Sequence, residues 1–167
     1  MTNYICINGK KAELTEEQMR ALGIELTKEK SPFDRVEEFD AFYCINSLGS
    51  VDRTWEGGSS DRGSVDDMRF AVANYCTDRA IMEKRALHET LNRLLWRYSM
   101  EHDGDKINWD NSHGKYRIYY YNGKYRVVQN YRENEIGTIY FHTEAVAENA
   151  ITEIIEPFMK AHPEFKW

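Results

Sequence analysis

Proline is scarce in this chain, at 3 of 167 residues, and so is cysteine, also at 3. Few prolines alongside 13% aromatic residues exclude a disordered, collagen-like or linker-dominated polypeptide. The cysteines (Cys6, Cys44, Cys76) are odd in number and far apart, each within an apolar or β-prone stretch. They read as small buried hydrophobes in a reducing compartment, not as a disulfide framework. Long hydrophobic runs are missing, since no stretch approaches the roughly 18 apolar residues that a membrane-spanning helix requires. The opening Met1-Thr2-Asn3-Tyr4 has no basic segment leading into an apolar one, so no secretory signal is expected and the expected location is the cytoplasm. A basic excess is lacking too. With 22 Lys and Arg against 28 Asp and Glu the formal charge is −6, which excludes a globally basic nucleic-acid binder.

Catalytic and metal-binding patterns are equally thin. His88, His102, His113, His142 and His162 are scattered, with no H-x-x-x-H, H-E-x-x-H, C-x-x-C or G-x-S-x-G arrangement. Gly57, Gly58 and Gly63 fit neither the dinucleotide nor the phosphate-loop spacing and read as a flexible loop. Asp103, Asp105, Asn108 and Asp110 crowd oxygen donors together, but the EF-hand order is not met, so they read as a solvated loop at a helix end. The expectation is a protein with no catalytic residues, no cofactor and no metal.

What is present is organisation. Tyr4 to Ile7 is β-prone, Asn8-Gly9 is a favoured two-residue hairpin turn, and Lys10 to Leu14 returns. Thr15-Glu16-Glu17-Gln18 matches a capping box, and Gly23 ends the short helix it opens. Beyond a linker near Lys28 to Pro32, an internal repeat is legible. Phe42 to Val51 and Ile118 to Tyr125 each read strand–turn–strand. Each is followed by a β-like run (Asn74-Tyr75-Cys76-Thr77-Asp78, then Tyr140-Phe141-His142-Thr143-Glu144) whose threonine opens a helix. Asn46 to Thr77 spans 31 residues and Asn122 to Thr143 spans 21, so Glu56 to Gly63 is expected to hold the insertion in the first copy.

The first repeat helix should run from Asp78 to about His102, with Ala80, Lys84, Leu87, Leu91, Leu94, Leu95 and Tyr98 on one face. Met82, Trp96 and Met100 fall off that stripe, which predicts a helix covered on more than one side and, through Trp96, a partner or a homodimer. The second helix, Glu144 to about Ile155, carries Val146, Ala147, Ala150, Ile151, Ile154 and Ile155 on one face and should stop at Pro157. The fold class is thus α+β: a hairpin–helix unit over residues 1–30, a first β-β-β-α unit over 31–102 and a second over 103–167, joined by the long helix.

Charge is divided unevenly along the second unit. Residues 115–132 hold Lys115, Arg117, Lys124, Arg126 and Arg132 and no acid, whereas 133–167 hold seven acids against Lys160 and Lys166. Period-two alternation puts Lys115, Arg117, Tyr119 and Tyr121 on one strand face, with Lys124 and Arg126 on the matching face of the returning strand. Basic and aromatic side chains together suit stacking plus phosphate contact, so these residues, with Arg132, are the candidate nucleic-acid or partner-binding set.

Residues 115–156, with Gly137-Thr138-Ile139-Tyr140-Phe141-His142-Thr143-Glu144 leading into Ala147 and Ala150, resemble the three-stranded arm-type DNA-binding domains of integrases. Those domains are basic throughout, whereas here the third strand and helix are acidic. The order α-β-β-β-α also resembles double-stranded-RNA-binding domains, but Thr143-Glu144-Ala145-Val146-Ala147-Glu148 stands where those carry a basic cluster. A broader resemblance is to small accessory proteins of bacteriophages, prophages and other mobile elements. It is carried by Ile5-Cys6-Ile7-Asn8-Gly9-Lys10, Ser31-Pro32-Phe33-Asp34-Arg35-Val36, Phe42-Tyr43-Cys44-Ile45-Asn46 and Ile107-Asn108-Trp109. It implies a non-catalytic binder of a host protein, such as an inhibitor of a defence system of the anti-CRISPR kind. Nucleic-acid binding by the 115–132 hairpin is the alternative expectation.

Overall fold

The computed structural model describes residues 4–7, 10–23, 30–57, 64–107, 115–130 and 135–166. Helices and strands are mixed, and the described strands form three two-stranded antiparallel sheets, an α+β architecture. The chain divides into two compact units, Met1–Asp34 and Arg35–Trp167.

In the first unit, β1 (Tyr4–Ile7) pairs with β2 (Lys10–Glu13) in the register Tyr4↔Glu13 to Ile7↔Lys10. The Asn8-Gly9 turn lies outside the described residues. The capping box forms as expected at α1 (Glu16–Ala21): Gln18 Oε1 accepts the Thr15 N–H at 2.9 Å and Thr15 Oγ1 accepts the Gln18 N–H at 3.2 Å.

The second unit contains two hairpins and one long helix. Strands β3 (Ala41–Ile45) and β4 (Val51–Trp55) pair from Ala41↔Trp55 to Ile45↔Val51. Strands β5 (Tyr116–Tyr121) and β6 (Lys124–Gln129) pair from Tyr116↔Gln129 to Tyr121↔Lys124. Asn122 (φ 50°) and Gly123 (φ 77°) make the tight connection of the latter, as a turn with two positive φ values requires. The expected third strands shrink to one bridge each, Tyr43↔Cys76 and Tyr116↔Phe141.

Three further expectations are corrected. The link from the first hairpin to its bridging run holds more than the Glu56–Gly63 insertion expected there, because Val65–Ala71 forms helix α2, opened by Ser64 and Asp67. Ser64 Oγ accepts the Asp67 N–H and Asp67 Oδ2 accepts the Ser64 N–H, a second capping box; the Gly58–Gly63 part lies outside the described residues. Helix α3 (Arg79–Glu101) is capped by Asp78, not Thr77, its carboxylate accepting the Ala80 and Ile81 amides. Pro157 does not stop the last helix. After α4 (Glu144–Ala150, capped by Thr143) the backbone widens into a π-helical stretch at Ile151–Ile155, and Pro157 then enters α5 (Glu156–Ala161) within its first turn. The backbone is helical on both sides of Pro157, and the wide turn before it, in which the Glu156 N–H reaches back to the Ile151 carbonyl, is the kind of local widening by which a helix continues past a proline.

The buried face of α3 explains the rest. Ala80 and Lys84, expected in the stripe, are exposed, while Met82 and Ala86 are buried with Ile45 and Cys76 beneath β3. Further along, Leu91, Leu95 and Tyr98 join Phe141, Ala147, Ala150, Ile155, Phe158 and Phe165 in the main core. At about 100° per residue, the two sets sit on opposite sides of the helix. The chain itself therefore covers α3 on two sides. Trp96 and Met100 continue the Met82 side beyond the first core, where they are exposed. Ser99 Oγ donates to the Tyr140 carbonyl at 2.6 Å and holds the helix to the run before α4. Gly104 is required next to it, since a Cβ there would collide with the Ser99 carbonyl.

Candidate partner-binding surface

The β5–β6 hairpin presents one face to the core and one to solvent. Tyr116, Ile118, Tyr125 and Val127 pack inward. Cross-strand register sets Tyr119 opposite Arg126 and Tyr121 opposite Lys124 on the other face. Tyr121 is 56% exposed, and the Arg126 guanidinium lies over its ring at 6.0 Å. Lys124 and Arg126 form no ion pair among the described residues.

The remaining candidates are placed differently. Lys115 is 2% exposed, not part of the open face. Its carbonyl accepts the Asn130 N–H at 2.8 Å, Asn130 donates to the Tyr140 hydroxyl at 3.2 Å, and that oxygen also accepts the Glu135 N–H, so the base of the hairpin is closed over Lys115. Arg117 is half-buried and ion-paired through Nη1 to Glu135, which neutralises it, while its Nε is buried without a hydrogen-bond partner. Arg132 lies outside the described residues. Burial, with the neighbouring Tyr120 second, pushes the Tyr125 phenol up.

Trp96 reaches the hairpin by a different route. It is 58% exposed and lines a shallow depression of about 260 Å³ with Asn92, Arg93, Gly137 and Ile139. The depression shares Asn92, Gly137 and Ile139 with a cleft of about 360 Å³ that runs over Leu95 and Phe141 to Ile118, Tyr119 and Tyr120. Ile136, fully exposed, caps the Glu135–Thr138 turn beside it. Tyr120 and Ile136 are functional candidates that sequence reasoning missed. Alternation assigned Tyr120 to the inward face, but at the hairpin tip it extends past the main core and is exposed.

The outer edge of β5 borders this cleft. Tyr116 and Phe141 exchange both backbone bonds, at 3.0 and 2.7 Å, so the N–H and C=O of Tyr116 point away from β6. Those of Ile118 and Tyr120 point the same way by strand alternation, and among the described residues no group pairs with them.

The first hairpin holds the strongest electrostatic cluster, and it is closed. Arg35 binds Glu56 at 2.5 Å and Asp67 at 2.6 Å; the Tyr75 hydroxyl donates to Glu56 at 2.9 Å and accepts the Val36 N–H at 3.1 Å. The Arg35 hydrogen bond holds the Glu56 carboxyl below its ordinary range, and burial first, with Glu56 behind it, pushes the Tyr75 phenol up to about 12. The cluster fastens residues 35–40 to the β3–β4 hairpin. Burial pushes the Cys44 thiol up, away from nucleophilic use.

A further cavity, about 640 Å³, lies between the first turns of α3 and His162–Lys166. Its carboxylates are engaged, Glu83 by Arg79 and Glu164 by His162. Among the described residues no group of three or more His, Cys, Asp or Glu could hold a metal ion, and no helix is long and apolar enough to cross a membrane. No family model matches the chain, and no curated protein or solved structure matches it either.

Proposed function

We propose that the chain is a non-enzymatic binding protein that docks a partner protein on the flank between Trp96 and Tyr120. The observation that carries this reading is the continuous trough from Trp96 over Leu95 to Tyr120, apolar at its floor and rimmed by exposed aromatic side chains. Trp and Tyr are the residues that most often anchor protein interfaces. Nucleic acid is the less supported partner. Of the five cations in 115–132, Lys115 is buried, Arg117 is neutralised and Arg132 lies outside the described residues, so the described face offers two, Lys124 and Arg126. Phosphate-driven affinity grows with the number of cations engaged, so two give little.

The resemblance to accessory proteins of phages and other mobile elements supplies the biological setting of this proposal: the cytoplasm of a host cell, and inhibition of a defence system. The two hairpin–bridge–helix arrangements are read as copies of one β-β-β-α unit, the second adapted for binding. A homodimer through the uncovered Trp96 and Met100 side of α3 would compete with the partner for the Trp96 end of this flank, and sedimentation measures it.

The test is capture from nuclease-treated host lysate by the full chain. Wild type retains a protein that Trp96→Ala combined with Tyr120→Ala releases. A lysate that yields no partner, or equal retention by the double variant, contradicts the proposal. In a parallel capture from untreated lysate, salt-sensitive retention of DNA or RNA that Lys124→Ala with Arg126→Ala abolishes favours the nucleic-acid alternative instead.

A further inference from the structure

We infer that the occupant of this flank is an extended acidic peptide segment of the partner, added as a strand to the outer edge of β5. The inference rests on the protein-docking reading and names its chemistry. Its backbone bonds to the outward N–H and C=O groups of Ile118 and Tyr120, and its alternate apolar side chains enter the cleft over Leu95 and Phe141.

Three observations converge on a strand as the ligand. The run that should continue the sheet meets β5 only at Phe141, and Gly137–Ile139 then stands off across the cleft, leaving strand-edge groups facing open space. The edge carries none of the usual protections, since no proline, bulge or inward charge interrupts Ile118 to Tyr120. The equivalent place on the first hairpin is closed. Two residues before the Cys76 bridge, the Asn74 side chain bonds both the N–H and C=O of Ile45, at 2.7 and 2.8 Å. Two residues before the Phe141 bridge stands Ile139, which has no polar group to do so.

Charge selects the class of peptide. Lys124 and Arg126 flank the Tyr119–Tyr121 stretch with no carboxylate partner among the described residues, and Glu135, the nearby acid, is held by Arg117. The two cations stand on β6 on the solvent face of the sheet, the face to which every second side chain of an added strand would point. A second copy of this hairpin would bring the same cations to that face, so complementarity favours an acidic segment of another protein.

The probes are two synthetic hexapeptides, one alternating Val and Glu and one alternating Val and Lys, added to the isotope-labelled full chain. The acidic peptide is expected to slow exchange of the Ile118 and Tyr120 amides at least about tenfold, and the basic one to leave them unchanged. Tyr120→Pro deletes an N–H that the β5–β6 pairing does not use, so it should weaken binding about tenfold beyond Tyr120→Ala. N-methylation of alternate amides in the peptide should do the same on the wild-type chain, should the proline variant fail to fold. Equal binding by Tyr120→Pro and Tyr120→Ala with no effect of N-methylation overturns the inference. So does absence of binding at about 1 mM acidic peptide, or protection of the two amides that rises with protein concentration alone. A lysate partner released by Trp96→Ala but kept by Tyr120→Pro overturns strand addition while leaving the docking proposal intact.

Discussion

The two hairpins of the larger unit start from the same local pattern and end in opposite conditions. Each has a tight antiparallel pair, a single bridge from its first strand, and a side-chain-capped helix directly after the bridge. In the first hairpin the edge beyond the bridge is sealed by the Asn74 amide, and the Arg35–Glu56–Tyr75 cluster locks the preceding segment. In the second, the corresponding residue is Ile139 and the edge opens on a cleft. One polar side chain thus separates a finished sheet edge from a reactive one, because a strand edge holds one donor and one acceptor every second residue that must find a partner.

The largest expected effect lies in the closed hairpin. Glu56→Gln should destabilise the protein by about 2 kcal/mol in urea unfolding, because Arg35, partly exposed and still paired with Asp67, and the buried Tyr75 hydroxyl each lose a charged hydrogen-bond partner. Asn74→Ala should follow at about 2 kcal/mol, since it orphans both backbone groups of Ile45. A loss under about 0.5 kcal/mol in either would break the contrast between hairpins.

Acid should weaken the same hairpin. The folded carboxyl of Glu56 titrates below its ordinary value of 4.5, so its stabilising contribution is complete above that value and is lost as pH falls through the folded one. Urea midpoints measured from pH 7 downward should therefore fall faster below about pH 4.5 in wild type than in Glu56→Gln. In the open hairpin the analogous pair is half-exposed, and Glu135→Gln should cost about 0.5 kcal/mol. Smallest of all, Tyr121→Ala should leave the melting temperature nearly unchanged, its ring being mostly in solvent. Ile139→Asn sharpens the comparison from the other side: an amide at that position should seal the edge and abolish binding of the acidic peptide.

How much of this was legible in the sequence follows a physical division. Signals confined to a few neighbouring residues were readable: the Thr15–Gln18 box, the Asn122-Gly123 turn, and the Thr143 cap with the apolar face after it. The Ser64–Asp67 box is a signal of the same local kind, directly after the glycines that read as loop. What stayed hidden depends on distant partners. Asn74 reaches Ile45 across 29 residues, Ser99 reaches Tyr140 across 41, and the closure over Lys115 needs Asn130 and Tyr140. Periodicity placed Tyr119, Tyr121, Lys124 and Arg126 on one face correctly. It has no means of showing that α3 changes its buried side midway, which exposes Ala80 and Lys84, or that the β5–β6 tip runs past the core, which exposes Tyr120.

Amide hydrogen exchange of the unliganded chain, resolved residue by residue, tests the central contrast most directly. The account predicts strong protection at Ile45, whose N–H is held by Asn74, and exchange at least about a hundredfold faster at Ile118 and Tyr120, whose N–H groups face the cleft. Equal protection at the three amides would mean that the second hairpin is as closed as the first, and would contradict it.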